Sequence, residues 1–465
     1  MNLDPSQRKT LVLIGAGSAV FTRGLLADLI SAPDLGPWDL RLVDINPEAL
    51  AITVRLAERM VAARDERERI TVAGFVERTE ALPRADVVIT SVGVGGRPAW
   101  LRDWKIAAAE GIFQPVGDSV MPGGISRALR TIPVMDEIAR DVAALAPDAF
   151  LFNYGNPMTA IVQAMSRHHD VVGLCHGLGH VHRDLATFAG LPCEETSILY
   201  CGLNHLTWIY DFRHKGADAW PRVRERLAEE RAAGLDPELV GRIFNEGARW
   251  GHNPFSFSLF DTYGAYPSAS DRHVTEFFPE RFQGERSYYG KTLGVDAFSL
   301  PEILEWGEER YQRMRREAEG EQELDPEMFE RSGGDQEELI DILRSIAFDL
   351  RRISSVNVPN TGYVPNLPLG AVLEIPGVAT ARGLRPISVP DFPATLAAII
   401  ERRLAPVGLT VEAALTGDRD LAVEAMLADG AVTNPDVARR LVGAYLAEQA
   451  QYLPRFAAAT AGARA

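Results

Sequence analysis

At 465 residues and 50.9 kDa the chain is longer than one hydrophobic core usually serves, so two packed units are expected, residues 1–200 and residues 201–465. Hydrophobic residues at 46% and charged residues at 24% give ordinary globular composition, while a net charge of -16 repels a phosphate backbone and excludes sequence-independent nucleic-acid binding. No apolar run reaches the ~20 residues of a membrane span; three cysteines (Cys175, Cys193, Cys201) are too few for a disulfide framework, and MNLDPSQRKT lacks the apolar core of a signal peptide, so the expected compartment is the cytoplasm.

The first 200 residues alternate short β-branched runs with longer helix-patterned segments. The runs are LVLI at 11–14, LRLVDI ending at Ile45, ITVAGF at 70–75, VVITSV at 87–92, FLFN ending at Asn153 and VVGLC ending at Cys175. Strands spaced in this way predict an α/β fold, a doubly wound parallel sheet of the Rossmann type whose ligands sit at the carboxyl ends of the strands. Beyond residue 200 the pattern turns to long charged segments of helical period, at 301–319, 336–352 and 435–453, with one strand-like stretch, AVLEIPGVA, from Ala371. The second half reads as a mainly helical α+β domain.

Directly after the first strand, Gly15-Ala16-Gly17-Ser18-Ala19-Val20-Phe21 precedes a helix pattern from about Thr22. Two glycines let the backbone turn sharply beside a pyrophosphate, whose charge the helix N-terminus would meet. The third glycine of the dinucleotide fingerprint is replaced by Val20, so the motif is incomplete and a plain tight turn is the alternative. Asp44 closes the second strand 29 positions after Gly15, somewhat beyond the usual ~20. A carboxylate there either accepts hydrogen bonds from a ribose, favouring NAD over NADP, or caps the Asn46-Pro47 turn. Glycines around Val94 suit a backbone passing beside a cofactor, and Gly117-Asp118-Ser119 with Pro122-Gly123-Gly124 brackets a loop before a helix expected from Ile125. That loop either presents Asp118 to a ligand or is a structural turn.

Two further strand ends carry polar groups, FNYGNP (Asn153, Asn156) and GLCHG (Cys175, His176), and thirty positions beyond Cys175 lies His205 in GLNHLTW. A cysteine sulfur and an imidazole are sensible ligands for a divalent transition metal, although both residue types are more often plain core residues. Residues 259–279 gather Asp261, Tyr263, Tyr266, Asp271, Arg272, His273 and Glu276 in a Gly/Pro/Ser-punctuated stretch that reads either as a loop facing a polar ligand or as an exposed charged loop.

In chain order GAGSAVF, LVDI, SVGVGG, FQPVGDSVMPGGISRALRTIPV, FNYGNPM, GLCHG, NHLTW and DRHVTEFFP resemble the motif series of glycoside hydrolase family 4, over roughly residues 11–280. The resemblance implies a fold similar to lactate and malate dehydrogenases and a hydrolysis that departs from the usual two-carboxylate scheme. It assigns the metal, usually manganese, to Cys175 and His205. NAD falls to Gly15, Gly17, Ser18, Ala19, Asp44, Val94 and Asn153, and sugar hydroxyls or metal-bound water to Asn153, Asn156, Asp118 and His176. In the family, hydride transfer from sugar C3 makes a ketone that acidifies C2, a base removes the C2 proton, the C1 aglycone leaves, water adds and the hydride returns. The base aligns with residues 259–273, with Tyr263 the first choice, Asp261 the second and Tyr266 the third. Cys175-His176-Gly177 is similar to members acting on unphosphorylated α-glycosides, nearest to α-galacturonides and α-glucuronides, whose carboxylate Arg272 and His273 would pair with; a neutral α-galactoside or α-glucoside is the alternative. The resemblance also suggests a homodimer or homotetramer. An ordinary NAD-dependent hydroxy-acid dehydrogenase and a silent NAD sensor are the rival readings.

Overall fold

The computed structural model describes residues 3–18, 21–234, 253–282, 300–330 and 338–457. Six parallel strands, β1 (Lys9–Ile14), β2 (Trp38–Val43), β3 (Ile70–Phe75), β4 (Val87–Thr90), β5 (Phe150–Asn153) and β6 (Val171–Gly173), are ordered 3-2-1-4-5-6, the dinucleotide-fold arrangement. Why β1 is apolar from Leu11 to Ile14 follows from its place in the middle. Leu11 and Leu13 pack into the core under helices Phe21–Ile30 and Pro47–Ala63, while Val12 and Ile14 face the opposite core with Met121–Leu145 and Met158–Met165.

The sheet does not stop at β6. Strands β7 (Thr196–Leu203), β8 (Leu206–His214), β9 (Ala217–Asp218), β10 (Tyr266–Pro267), β11 (Ile353–Pro359), β12 (Val372–Thr380) and β13 (Gly383–Pro386) extend it antiparallel, in the order β6-β11-β12-β7-β8-β10, with β13 on β12 and β9 on β8. Helices Ala394–Thr416, Arg419–Asp429 and Pro435–Glu448 then cover the face that holds Met121–Leu145. Helix Leu300–Glu319 is fastened to helix Phe21–Ile30 by Arg23, whose Nε lies 2.9 Å from the buried Glu317 carboxylate. Among the described residues no helix is long and apolar enough to cross a membrane.

Two expectations need correction. The helix expected from Ile125 starts at Met121, because Pro122 fits a first-turn position where no N–H is needed, and Gly124 lies against Ser119 with no room for a side chain. Residues 259–279 are not one loop: helix Pro254–Tyr263 runs into them, Tyr266 enters β10, and Asp271 is buried as the acceptor for Phe255 N–H (2.7 Å) and Ser256 N–H (2.8 Å) at the start of that helix.

Candidate active site

The glycine loop after β1 is held by the ends of the neighbouring strands β2 and β4. Gly15 sits at φ 89°, and a Cβ there would lie 2.4 Å from the Ser91 carbonyl oxygen, so no other residue fits. Gly17 donates its N–H to Asp44 Oδ2 at 2.8 Å, and a Cβ on it would stand 2.7 Å from that oxygen. Asp44 Oδ1 accepts from Asn46 N–H at 2.9 Å, so the carboxylate caps its own turn and anchors the glycine loop, with further lone pairs left for a ribose hydroxyl. Ser18 continues the turn, its carbonyl accepting from Thr22 N–H at 3.1 Å. Ala19 lies outside the described residues. Across the loop, the Val94 carbonyl is fixed by Arg130 Nε at 2.8 Å, and Arg130 is itself bidentate on the buried Asp103.

Asp118 stands on a loop pinned from three sides. Trp100 Nε1 donates to the Val116 carbonyl at 2.8 Å, Gln114 Oε1 accepts from Gly123 N–H at 2.8 Å, and Glu276 Oε1 accepts from both Val116 and Gly117 N–H at 2.8 and 2.7 Å. The Asp118 carboxylate, thus presented, accepts from Ser119 Oγ (2.8 Å) and from Asn156 Nδ2 (3.1 Å). Ser119 Oγ also lies 3.1 Å from His205 Nδ1.

His205 occupies the two-residue turn between β7 and β8 at φ 66°, a conformation few non-glycine residues adopt, and such strain is typically retained where a side chain must point at a ligand. The His273 ring packs on it with centroids 4.0 Å apart, and His273 Nδ1 is 3.9 Å from Asp118 Oδ1. One donor atom each from Asp118, His205 and His273 lies within 4.8 Å of the others, a three-residue group able to hold a metal ion. Two buried polar atoms beside it, Asn156 Oδ1 and His273 Nδ1, have no hydrogen-bond partner among the described residues, as expected where a further ligand completes the site.

Residues 10–191 match the profile described as family 4 glycosyl hydrolase, and residues 200–432 match its C-terminal domain. This chain belongs to glycoside hydrolase family 4. The alpha-glucosidase of Erwinia rhapontici is 31% identical over 468 residues, covering 95% of this chain and 98% of that protein. The alpha-galacturonidase of Bacillus subtilis is 30% identical over 429 residues, covering 90% and 92%. A solved Bacillus subtilis protein described as a glucosidase superposes with a TM-score of 0.81 at 28% identity over 95% of this chain and 100% of that one. The fold is shared at lower identity, 19% with a TM-score of 0.78, by a 6-phospho-alpha-glucosidase from gut microorganisms solved with NAD and Mn2+, over 96% and 99% of the two chains.

In this family 4 enzyme the electrostatics favour a cation at the three-donor group. Burial pushes the Asp118 carboxyl up, but His273, His205 and Arg127 pull it down by more, so it stays below the usual carboxylate value. Burial holds the His205 imidazole below its ordinary value, and burial followed by the adjacent His205 does the same to His273. An ionised carboxylate beside neutral imidazoles is the protonation state in which these groups ligate a metal.

The other expected site residues divide. Asn156 joins the group through Asp118, its carbonyl taking Arg127 Nε at 3.0 Å. Asn153 is spent locally, on Gly155 (Nδ2 to the carbonyl at 3.0 Å, Oδ1 from N–H at 3.1 Å) and on Thr90 Oγ1 at 3.0 Å. Cys175, two residues past β6, is half-buried and lies outside the three-donor group; its sulfur accepts from Gly177 N–H at 3.4 Å. His176 is exposed at the head of helix Gly177–Phe188, its ring edge-on to His180. Asp261 is exposed and paired with Arg231 at 2.5 Å, and Tyr266 is buried among Phe257 and its neighbours. Tyr263 is half-buried with its ring edge-on to Trp208, three residues beyond His205. His273 was expected to meet a substrate carboxylate; its place is beside the metal-ligating candidates.

Sequence reasoning missed the service of Ser119, Arg127 and Glu276. Burial pushes the Glu276 carboxyl up to about 8, so it clamps the Asp118 loop as a neutral acid. Its folded value exceeds the unfolded 4.5, so its contribution to stability is complete below pH 4.5 and is lost as pH rises toward 8. A Glu276→Gln variant, neutral at every pH, should gain Tm relative to the parent as buffer moves from about pH 5 to about pH 8.5. His205 and His273 bias stability in the opposite sense, but they are common to both proteins and cancel. A pH-independent Tm difference would contradict the neutral-clamp account.

Proposed function

We propose that this enzyme hydrolyses an unphosphorylated α-linked glycoside, a galacturonide or glucuronide in particular, with NAD and a divalent cation, manganese by resemblance, as cofactors. The observation that carries the reading is the convergence of Asp118, His205 and His273 next to the unpartnered Asn156 Oδ1. These residues fit a cation; Cys175 is the sulfur ligand that the family resemblance adds. Gly15, Gly17, Ser18 and Asp44 fit a dinucleotide, since the loop is shaped for close backbone approach at the head of helix Phe21–Ile30. When bound, NAD supplies a hydride acceptor and the cation a Lewis acid at the sugar oxygens.

The residues of the chain do the rest. Asp118 and Asn156 orient sugar hydroxyls, and His176 meets the sugar beside Cys175. Tyr263 takes the C2 proton: of the three base candidates, Asp261 is tied to Arg231, and burial holds the Tyr266 phenol far above the usual range. The similarity to α-galacturonidases is compatible with the uronide substrate, as the equal similarity to α-galactosidases and an α-glucosidase is with a neutral one, so the uronide reading leans on the Cys175-His176-Gly177 resemblance.

Aryl α-galacturonide, α-glucuronide and α-galactoside are to be assayed with NAD, Mn2+ and reductant, each omitted in turn. Aglycone release that requires NAD yet leaves no lasting NADH absorbance is expected, with the uronides preferred. Stoichiometric NADH accumulation would establish a dehydrogenase instead. A second expectation concerns Asp44. Asp44→Ala removes both the Gly17 anchor and the ribose acceptor, so the NAD dissociation constant should rise about 10- to 100-fold by fluorescence titration, about 1.5 to 3 kcal/mol for charge-assisted hydrogen bonds. An unchanged constant would confine Asp44 to capping its turn.

A further inference from the structure

Arg127 and Arg130 lie one turn apart on helix Met121–Leu145, yet their surroundings differ. Arg130 spends all three guanidinium nitrogens, two on Asp103 and one on the Val94 carbonyl. Arg127 spends only Nε, on the Asn156 carbonyl at 3.0 Å, with its guanidinium 5.6 Å from the Trp100 ring centroid. Neither Nη atom has a hydrogen bond, and no carboxylate comes within ion-pair distance, among the described residues. Asp118 is close enough to feel the charge but is not bonded to it. A half-buried guanidinium left open in this way normally has a partner still to come.

The space beside it is open. Gly93 is exposed, and the one atom a Cβ there would meet within 4 Å is Arg127 Nη2, at 3.6 Å, among the described residues. Arg127 therefore stands at an accessible edge of the Asp118–Asn156 group with two donors free in fork geometry, which matches a carboxylate. The diphosphate of a dinucleotide is the other anion to consider, but the glycine loop already fits that group, and among the described residues Arg127 makes its hydrogen bond to the Asn156 carbonyl and not to Gly15, Gly17 or Ser18.

We propose that Arg127, rather than Arg272 with His273, is the residue that binds the sugar carboxylate and so sets the preference for uronides. His273 belongs to the three-donor group, and Arg272 lies beside Glu276, whose carboxyl it draws down. The assignment rests on the uronide reading above. It makes Arg127 a specificity-determining residue, outside the chemistry at C1 to C3.

The test compares the wild type with Arg127→Met and Arg127→Lys. Each is assayed with aryl α-galacturonide and aryl α-galactoside, with galacturonate and galactose as binding probes in the presence of NAD and Mn2+, and with NAD alone by fluorescence titration. Arg127→Met should lose about 100-fold in kcat/KM on the uronide, mostly in KM, and bind galacturonate correspondingly more weakly, as expected for a charge-assisted bidentate pair. Galactoside turnover should fall far less than uronide turnover, the loss common to both sugars reflecting the hold of Arg127 Nε on the Asn156 carbonyl; NAD affinity should change less than about threefold, and Arg127→Lys should recover part of the uronide activity. Equal losses on both sugars, or a loss confined to NAD affinity, would overturn the assignment. A wild type inactive on uronides but active on galactoside would defeat the uronide reading itself. A uronide-active wild type whose Arg127→Met variant keeps that activity would defeat only the role of Arg127.

Discussion

A His205→Asn enzyme is expected to lose turnover by on the order of 10³-fold or more, together with tight Mn2+ binding, while keeping its NAD affinity. Asn tolerates the left-handed conformation that His205 holds at φ 66°, so the β7–β8 turn survives and the imidazole alone is removed. What is lost is a neutral ring nitrogen at the centre of the three-donor group, and with it the ion that would polarise the sugar oxygens, worth several kcal/mol of transition-state charge stabilisation. Mn2+ titration by electron paramagnetic resonance, alongside NAD titration, separates this from unfolding. Retained Mn2+ affinity with lost activity would assign His205 to proton transfer instead.

Tyr263→Phe is the second large effect. Removal of a positioned general base typically lowers kcat by about 10² to 10⁴-fold. The substitution keeps the ring that packs edge-on to Trp208, so the helix Pro254–Tyr263 and its contact with β8 are preserved. Mn2+ and NAD binding should be unchanged, and exchange of the C2 hydrogen with solvent deuterium should disappear along with turnover. A variant of near-normal activity would remove Tyr263 from the mechanism.

How far the sequence alone could reach depends on what each segment buries. The parallel half was legible because its central strands are covered on both faces, so runs such as LVLI and VVI carry no polar residue and stand out between helical segments. The antiparallel half was not, because its central strands bury polar groups beneath the site. In β11, Ser355 and Asn357 interrupt the apolar pattern, and Ser355 Oγ donates to the buried Glu374 of β12 at 2.9 Å, as Thr207 Oγ1 of β8 does at 2.6 Å. The pairing of His205 with His273 has no spacing signature at all, since 68 positions separate them, with helices Trp220–Ala233 and Pro254–Tyr263 between. Asp118 was visible as a carboxylate between glycines, yet the clamp that fixes it, Glu276, looked like one more charge in a charged stretch. In the opposite direction, Asp271 looked chemical and is a helix cap, because a buried carboxylate accepting two backbone N–H groups and the Ser256 hydroxyl is indistinguishable in sequence from one facing a ligand.

Anomalous diffraction from crystals grown with NAD and Mn2+, collected at the manganese edge, bears most directly on where the cation lies. A single strong peak within coordination distance of His205, with Asp118 or His273 at its side, is the predicted result. A peak bonded to none of these three residues would contradict the assignment of the metal site and the chemistry built on it.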